Sequence, residues 1–505
     1  MRLLAGCMLL ACQCQHAASQ SITAADTLTR LEQSIEQGRF AEAEKPLLDY
    51  AVAHPQEVRS LYLLGQVRER QGRFEEAGAL YRRVLALDPA HVRAKILLGQ
   101  LMYAAGERDE ARRMLNAVAQ NPPAEPRVQL SLARALVLVG EYASALAGVE
   151  RLPRALRNAE ALPVAAASYL ALGERRKLTA LIPSMRRAAA VKPSVAAQCA
   201  AVLHDAGMLA EAVAVLRLAL ATAPNDARLL VASGRMETDA KDFARARAHL
   251  ARALALDARS VDALAARAAL EGAEGDFAAA FSSLNTARTL APDSANILAQ
   301  FVVAAMRAGR AQAAVEGAGA LLKLQPDDAE SLYLFGAASL QAGSLAAAQN
   351  ALERYAKERP RDSRGCLALG IVLAGQHEQA SAARAQFERC LQLDPANVEA
   401  KYQLSLVHKS QGDTQHAVQL LEEVTTSAPR HASALRDLGA LYLQTGADRR
   451  ARDVLTRAVA LDPQDAETHF QLSRLYNRAG QSALAAEHLA LFQKLKSRRE
   501  KGTAQ

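Results

Sequence analysis

Residues 58–91 read VRSLYLLGQVRERQGRFEEAGALYRRVLALDPAH, and these 34 positions decide the fold. Leu61, Leu64 and the stem of Arg68 recur at helical spacing and share one face. Gly72 supplies the left-handed conformation that ends a first helix. Phe74, Ala77, Tyr81 and Val84 set the buried stripe of a second helix. Asp88-Pro89 then stops that helix and opens the next, because proline lacks the donor needed in a helix interior. The small residues Gly65 and Ala77 are expected to let the two antiparallel helices approach closely. Such a helix–turn–helix unit cannot bury its apolar stripe alone, so it needs neighbours of its own kind.

Working outward, those neighbours are present. Pro55, Pro89 and Pro123 stand 34 residues apart, as do Pro292, Pro326 and Pro360, and again Pro395, Pro429 and Pro463. The turn glycine returns from Gly38 to Gly480, the first-helix glycine from Gly65 to Gly439, and the second-helix alanine from Ala77 to Ala485. On these residues the chain resembles the tetratricopeptide repeat family, with Leu-Gly early in the motif, Gly at the turn, then Ala, an aromatic, Ala and Pro. The resemblance implies an all-α fold: a right-handed superhelical α-solenoid of about fourteen helix–turn–helix repeats. The aromatic often found early in the family's first helix is replaced by Leu61, Leu332 or Leu435 here.

The predicted organisation is a signal segment at 1–20, an N-terminal arm of repeats at 24–158, an irregular basic repeat at 159–192, a C-terminal arm with a capping helix at 193–496, and a basic tail at 497–505. The irregular repeat keeps Gly173 but has lost its alanine and closing proline, and Pro153, Pro163 and Pro183 are expected to interrupt it. One inserted residue is placed near His377, since Pro360 and Pro395 stand 35 apart. No stretch holds the 18 or so unbroken apolar residues of a membrane span.

The N-terminus has the layout of an export signal, Met1-Arg2 leading into the apolar run Leu3 to Ala11. Leu9-Leu10-Ala11-Cys12 resembles a bacterial lipobox, which makes Cys12 the candidate lipidated residue; Cys7 and cleavage after Ser19 are alternatives. The chain carries +8 overall, and residues 151–192 hold nine basic against two acidic side chains. Arg175, Arg176, Lys177, Arg186 and Arg187 make this a candidate patch for acidic proteins or an anionic polymer. A single aromatic, Tyr169, lies there to stack on bases, so nucleic acid is disfavoured.

Chemistry-bearing motifs are missing: there is no Gly-x-Ser-x-Gly, no phosphate-cradling Gly-Lys-Ser/Thr and no His-Glu-x-x-His. His408 and His416 are separated by Gly412, so no common helical face is expected and no metal site is assigned. Cys366 and Cys390 sit on the two helices of one repeat and read as buried thiols. No cofactor and no catalysis are expected. The resemblance implies that first helices line a groove holding a peptide or helix of a partner protein. Carried onto this chain, the groove positions are Tyr62, Gln66, Tyr103, Arg134, Arg235, Tyr333, Tyr402, Arg436, Phe470, Arg474 and Asn477. Aromatic and Arg side chains are the types that anchor interfaces. The Lys and Asn set of the family's clamp for C-terminal carboxylates is not found. These readings lead to an exported, periplasmic, lipid-anchored interaction scaffold of the bacterial envelope, with a cytoplasmic location as the alternative. The alternatives are a recognition module for an envelope enzyme acting in trans, or a polymer binder through 151–192.

Overall fold

At the repeat turns, the one with the inserted residue apart, the backbone folds back over one residue. Gly72 has φ +77°, its N–H donates to the Glu69 carbonyl (3.0 Å), and Arg73 N–H donates to the Arg68 carbonyl (2.9 Å). This closes the C-terminus of the first helix and launches the second. The same positive φ recurs at every turn glycine predicted from sequence, from Gly38 to Gly480. Lys241 occupies the corresponding place between the helices Ala227–Asp239 and Phe243–Leu256, at φ +60°. A side chain there costs about 1–2 kcal/mol of steric strain.

The computed structural model describes residues 24–502; the proposed signal and Cys12 lie outside them. All regular elements among the described residues are helices, mostly of 13 or 14 residues, joined by tight turns. The chain forms two compact units that part between Ala258 and Arg259. Between repeats, short polar side chains cap the next first helix: Asp226, Ser294, Asp328, Asn397 and Asp465 each accept from a backbone N–H two or three residues on. None of the described helices is long and apolar enough to cross a membrane.

The two helices of a repeat interlock by a knob entering a slot. A Cβ on Gly65 would stand 2.5 Å from the Tyr81 ring, so the glycine makes room for Tyr81 rather than meeting Ala77, as the sequence suggested. Ala77 is fully buried, but the bulky partner decides how close the helices come. Gly99 faces Leu115, Gly234 faces Leu250, Gly336 faces Leu352 and Gly439 faces Leu455 in the same way. Gly370 faces Phe387, one residue further along the chain than the others. The extra residue is absorbed by the 3₁₀ turn His377–Gln379, where the sequence placed the insertion. One repeat reverses the arrangement: Gly317 on the second helix makes room for Phe301 on the first.

The irregular segment departs from expectation at its prolines. Pro163 lies in the first turn of Leu162–Ala171, where its missing donor is harmless. Pro183 was expected to interrupt the repeat, yet Arg175–Val191 runs through it as one 17-residue helix. Pro183 is exposed, so the carbonyl it leaves unpaired faces solvent, while Leu178 and Met185 hold the other side of the helix in the core. Pro46 is accommodated likewise within Phe40–Ala53.

Candidate partner groove

The predicted groove residues fall on three successive positions of the first helices, four and then three residues apart, but the structure uses them in two different ways. In the first unit, Tyr62 is nearly buried, its ring 6.1 Å from Tyr81 and 4.9 Å from His91, and Gln66 donates to its hydroxyl at 3.1 Å. Burial pushes the Tyr62 phenol up to about 12, so it stays a neutral hydroxyl. Tyr62 and Gln66 line a cleft of about 290 Å³ whose edge carries the Arg93–Glu125 ion pair (2.6 Å). Tyr103 is half-buried beneath Arg108. Arg134 and Arg235 are exposed, and Arg134 reaches the Glu160 carbonyl at 3.5 Å.

In the second unit, Tyr333 packs on Tyr355 at 5.3 Å with Arg364 4.8 Å above its ring. Tyr402 donates to Asp437 (3.0 Å), and Arg436 pairs with Asp437 (3.1 Å) and Asp465 (3.5 Å). These side chains join neighbouring repeats. Arg436 also borders a cleft of about 960 Å³ that the closing helix Ser482–Gly502 completes with Phe492, Leu495 and Lys496. Phe470 lies 5.1 Å from Phe492, which ties that helix to the last repeat. Arg474 and Asn477 are exposed. Tyr62, Tyr333, Tyr402 and Arg436 therefore act largely as mortar, while the exposed Arg134, Arg235, Arg474 and Asn477 remain open to solvent.

Two hollows escaped the sequence reading. In the second unit, Ala269, Gly272, Ala299, Val303, Arg307 and Glu330 line a cleft of about 530 Å³ with Phe277 at its side. Ala299 stands at the repeat position of Tyr62 and Tyr333, and Ala269 and Val303 stand at that of Gln66. Small residues carry no binding signal in a sequence, and only the register could have pointed to them. In the first unit, a hollow of about 480 Å³ is bordered by Arg217, Ser233, Arg245 and the pair of buried Glu237 and half-buried His249, whose polar atoms lie 2.7 Å apart.

The basic helix Arg175–Val191 exposes Arg175, Arg176, Lys177, Arg186 and Arg187. Part of that charge is neutralised locally: Lys177 pairs with Glu174 (2.7 Å), and Arg186 and Lys192 pair with Glu211 and Glu160. Cys199, Cys366 and Cys390 are buried free thiols. The last two do meet, both donating to the Ser363 carbonyl at 3.2 and 3.4 Å. Burial pushes Cys199 and Cys390 up to about 12, which keeps them as unreactive thiols. His408 and His416, expected to stay apart across their turn, are brought onto one carboxylate, that of Asp413.

Family models described as tetratricopeptide repeat match residues 35–92, 68–130 and 408–472. The chain is a tetratricopeptide repeat protein. Over 74 residues it is 46% identical to Cellulose synthase 2 operon protein C of Komagataeibacter xylinus; the match spans 14% of this chain and 6% of that protein. Among solved structures, the chain in a crystal structure of the APC/C hetero-tetramer Cut9-Hcn1 aligns over 94% of both chains at 15% identity, with a TM-score of 0.49. MamA 41-end from Desulfovibrio magneticus RS-1 aligns over 34% of this chain and 95% of its own at 26% identity, with a TM-score of 0.31. Tetratricopeptide repeats are interaction modules, and the exposed first-helix register is where this protein offers an unfilled apolar surface.

Proposed function

We propose that this tetratricopeptide repeat protein is a non-enzymatic scaffold of the bacterial cell envelope, held to a membrane by a lipid on Cys12, that binds partner proteins along its first helices. The observation that carries the reading is the apolar cleft at Ala269, Ala299 and Val303, left open where Ala299 stands in the place that Tyr333 fills in the next repeat. Its occupant is an apolar segment of a partner protein bearing an acidic side chain for Arg307, which stands exposed 5.6 Å from the Phe277 ring. A photo-crosslinking residue at position 303 should capture the partner that co-purifies with the full chain. Val303→Glu should weaken that partner at least tenfold, since an unpaired charge buried at an interface costs about 2 kcal/mol or more. If Val303→Glu binds normally and Thr289→Glu, on the exposed side of the second helix, does not, the groove is the wrong face.

The lipobox-like start and the 74-residue likeness to a protein named for a cellulose synthase operon support the envelope setting. The same likeness favours a second reading, a recognition module for a polysaccharide-forming enzyme acting in trans. Metabolic labelling with an alkyne palmitate should mark the wild-type protein, and Cys12→Ser should lose both the label and membrane fractionation. An unlabelled wild-type protein, or a labelled Cys12→Ser variant, would remove the anchor from this reading.

A further inference from the structure

We propose that His408, Asp413 and His416 form a binding site for a divalent transition-metal ion of the zinc class. The turn builds the site. The helix Val398–Ser410 ends at Gly412 with φ +79°, and Asp413 N–H donates back to the His408 carbonyl at 2.9 Å, which sets residue 413 beside residue 408. Asp413 also caps the helix Thr414–Ser427, accepting from His416 N–H at 3.3 Å, so His416 rises from the first turn of that helix over the same point. The two Nδ1 atoms therefore address one carboxylate oxygen, Oδ2 of Asp413, at 2.9 and 2.8 Å. One ligand atom from each residue lies within 4.8 Å of the others, and the two rings stack at 5.2 Å.

This backbone geometry recurs at the other glycine turns, as the same places elsewhere in the chain show. They are filled by Arg68, Arg73 and Glu76 at one turn, where Arg68 and Glu76 lie 3.5 Å apart. At another they are filled by Tyr442, Ala447 and Arg450, with Arg450 5.8 Å over the Tyr442 ring. No other turn puts a histidine at either flanking place. The donor set, not the turn, is peculiar to this repeat.

Two imidazole nitrogens and one carboxylate suit zinc and its neighbours, whereas magnesium and calcium call for oxygen ligands throughout. Tetrahedral bonds of about 2.0 Å hold donor atoms about 3.3 Å apart, so the cluster must open by only a few tenths of an ångström. The ion takes the place of the protons now shared between the rings and the carboxylate; each passes to Nε2 or to water. His408 is buried and fixes one ligand, while His416 is exposed and leaves an entry path and a free coordination position for water. Arg384 of the preceding helix acts on Asp413, but its own pairing with Glu388 at 2.7 Å reduces the opposition to a cation.

Zinc chloride titrated into the full chain by calorimetry, in a non-chelating buffer, should bind with one equivalent displaced by mutation of this cluster; magnesium chloride should give no such event. His416→Ala changes an exposed side chain, and circular dichroism should report an intact fold. Its zinc affinity should fall at least 100-fold, because losing even an outer partner of a ligand costs about 10–100-fold. Asp413→Asn should behave similarly, and His469→Ala, which breaks the separate His469–His488 contact, should change nothing. Cobalt(II) should give a visible absorption band that His416→Ala abolishes. Failure of the wild-type chain to take up zinc, or uptake unaltered in His416→Ala and Asp413→Asn, would overturn the site.

Discussion

Truncating Tyr355 to alanine destabilises the second unit by about 3–5 kcal/mol, the range for deleting a buried aromatic side chain. Tyr355 is fully buried on Leu345–Glu358, and its ring packs 5.3 Å from Tyr333 in its own repeat. On the other side it fills the space over Gly365 of the next repeat, where even a Cβ would come within 2.9 Å of the ring. Its hydroxyl donates to Asp362 at 2.6 Å and accepts from Arg364 at 3.1 Å. Arg364 in turn pairs with Glu330 (3.2 Å) and Asp362 (3.0 Å). These bonds, that from Arg364 foremost, hold the Asp362 carboxyl down to about 2, while burial pushes the Tyr355 phenol up to about 12. One side chain thus joins two repeats through packing and through a charged network. Tyr355→Phe keeps the ring and should cost about 1 kcal/mol, the net worth of a hydrogen bond. Hydrogen exchange of the helices Ala329–Gln341 and Ser363–Ala374 should show the loss in the alanine variant on both sides of residue 355. Protection lost on one side only, or an alanine variant no worse than the phenylalanine variant, would contradict the joint.

The second large effect comes from filling a slot. Gly234→Val should destabilise the first unit by about 2–3 kcal/mol, as overpacking of a tight core does. Helix preference alone would favour the change by a few tenths of a kcal/mol, so the collision sets the sign. A Cβ at 234 would stand 2.5 Å from Leu250 Cγ and 2.7 Å from Cδ2, and Cγ is the branch point of that side chain, not a free end. Leu250→Ala should cost about 2–5 kcal/mol by itself through the void it leaves. Combined, the two changes should fall short of their sum by at least about 1 kcal/mol, because each relieves what the other disturbs. Strict additivity in the urea denaturation cycle would show that Gly234 is not the slot for Leu250.

The slot explains where reading the chain as a string went astray. A glycine and an alanine at a spacing that recurs along the chain suggest two small residues meeting, as Gly65 and Ala77 did. The opposing residue is in fact large: Tyr81, Leu115, Leu250, Leu352, Phe387 or Leu455. Which of the two helices carries the knob cannot be read from spacing alone, and Gly317 with Phe301 shows the reverse arrangement within the same chain. Pro183 misled for a different reason. Its consequence depends on whether the orphaned carbonyl meets water or core, and that depends on which face of the helix is buried. The groove residues divided on the same ground, since Tyr402 and Arg436 found partners in neighbouring repeats while Arg474 did not need one to be accommodated at the surface.

What the sequence determined by itself is everything governed by local backbone chemistry. The 34-residue period, the helix ends at Asp-Pro and the left-handed turns at glycine follow from steric rules that act within a few residues, and even the inserted residue near His377 was legible from proline spacing. Only the tertiary structure decided which side chains share a space. It placed Tyr355 between two repeats, left Val303 and Ala299 facing an unfilled cleft, and folded His408 and His416 onto Asp413. Those outcomes depend on distances between residues that are remote along the chain or separated by a turn, and the spacing of letters carries no such distances.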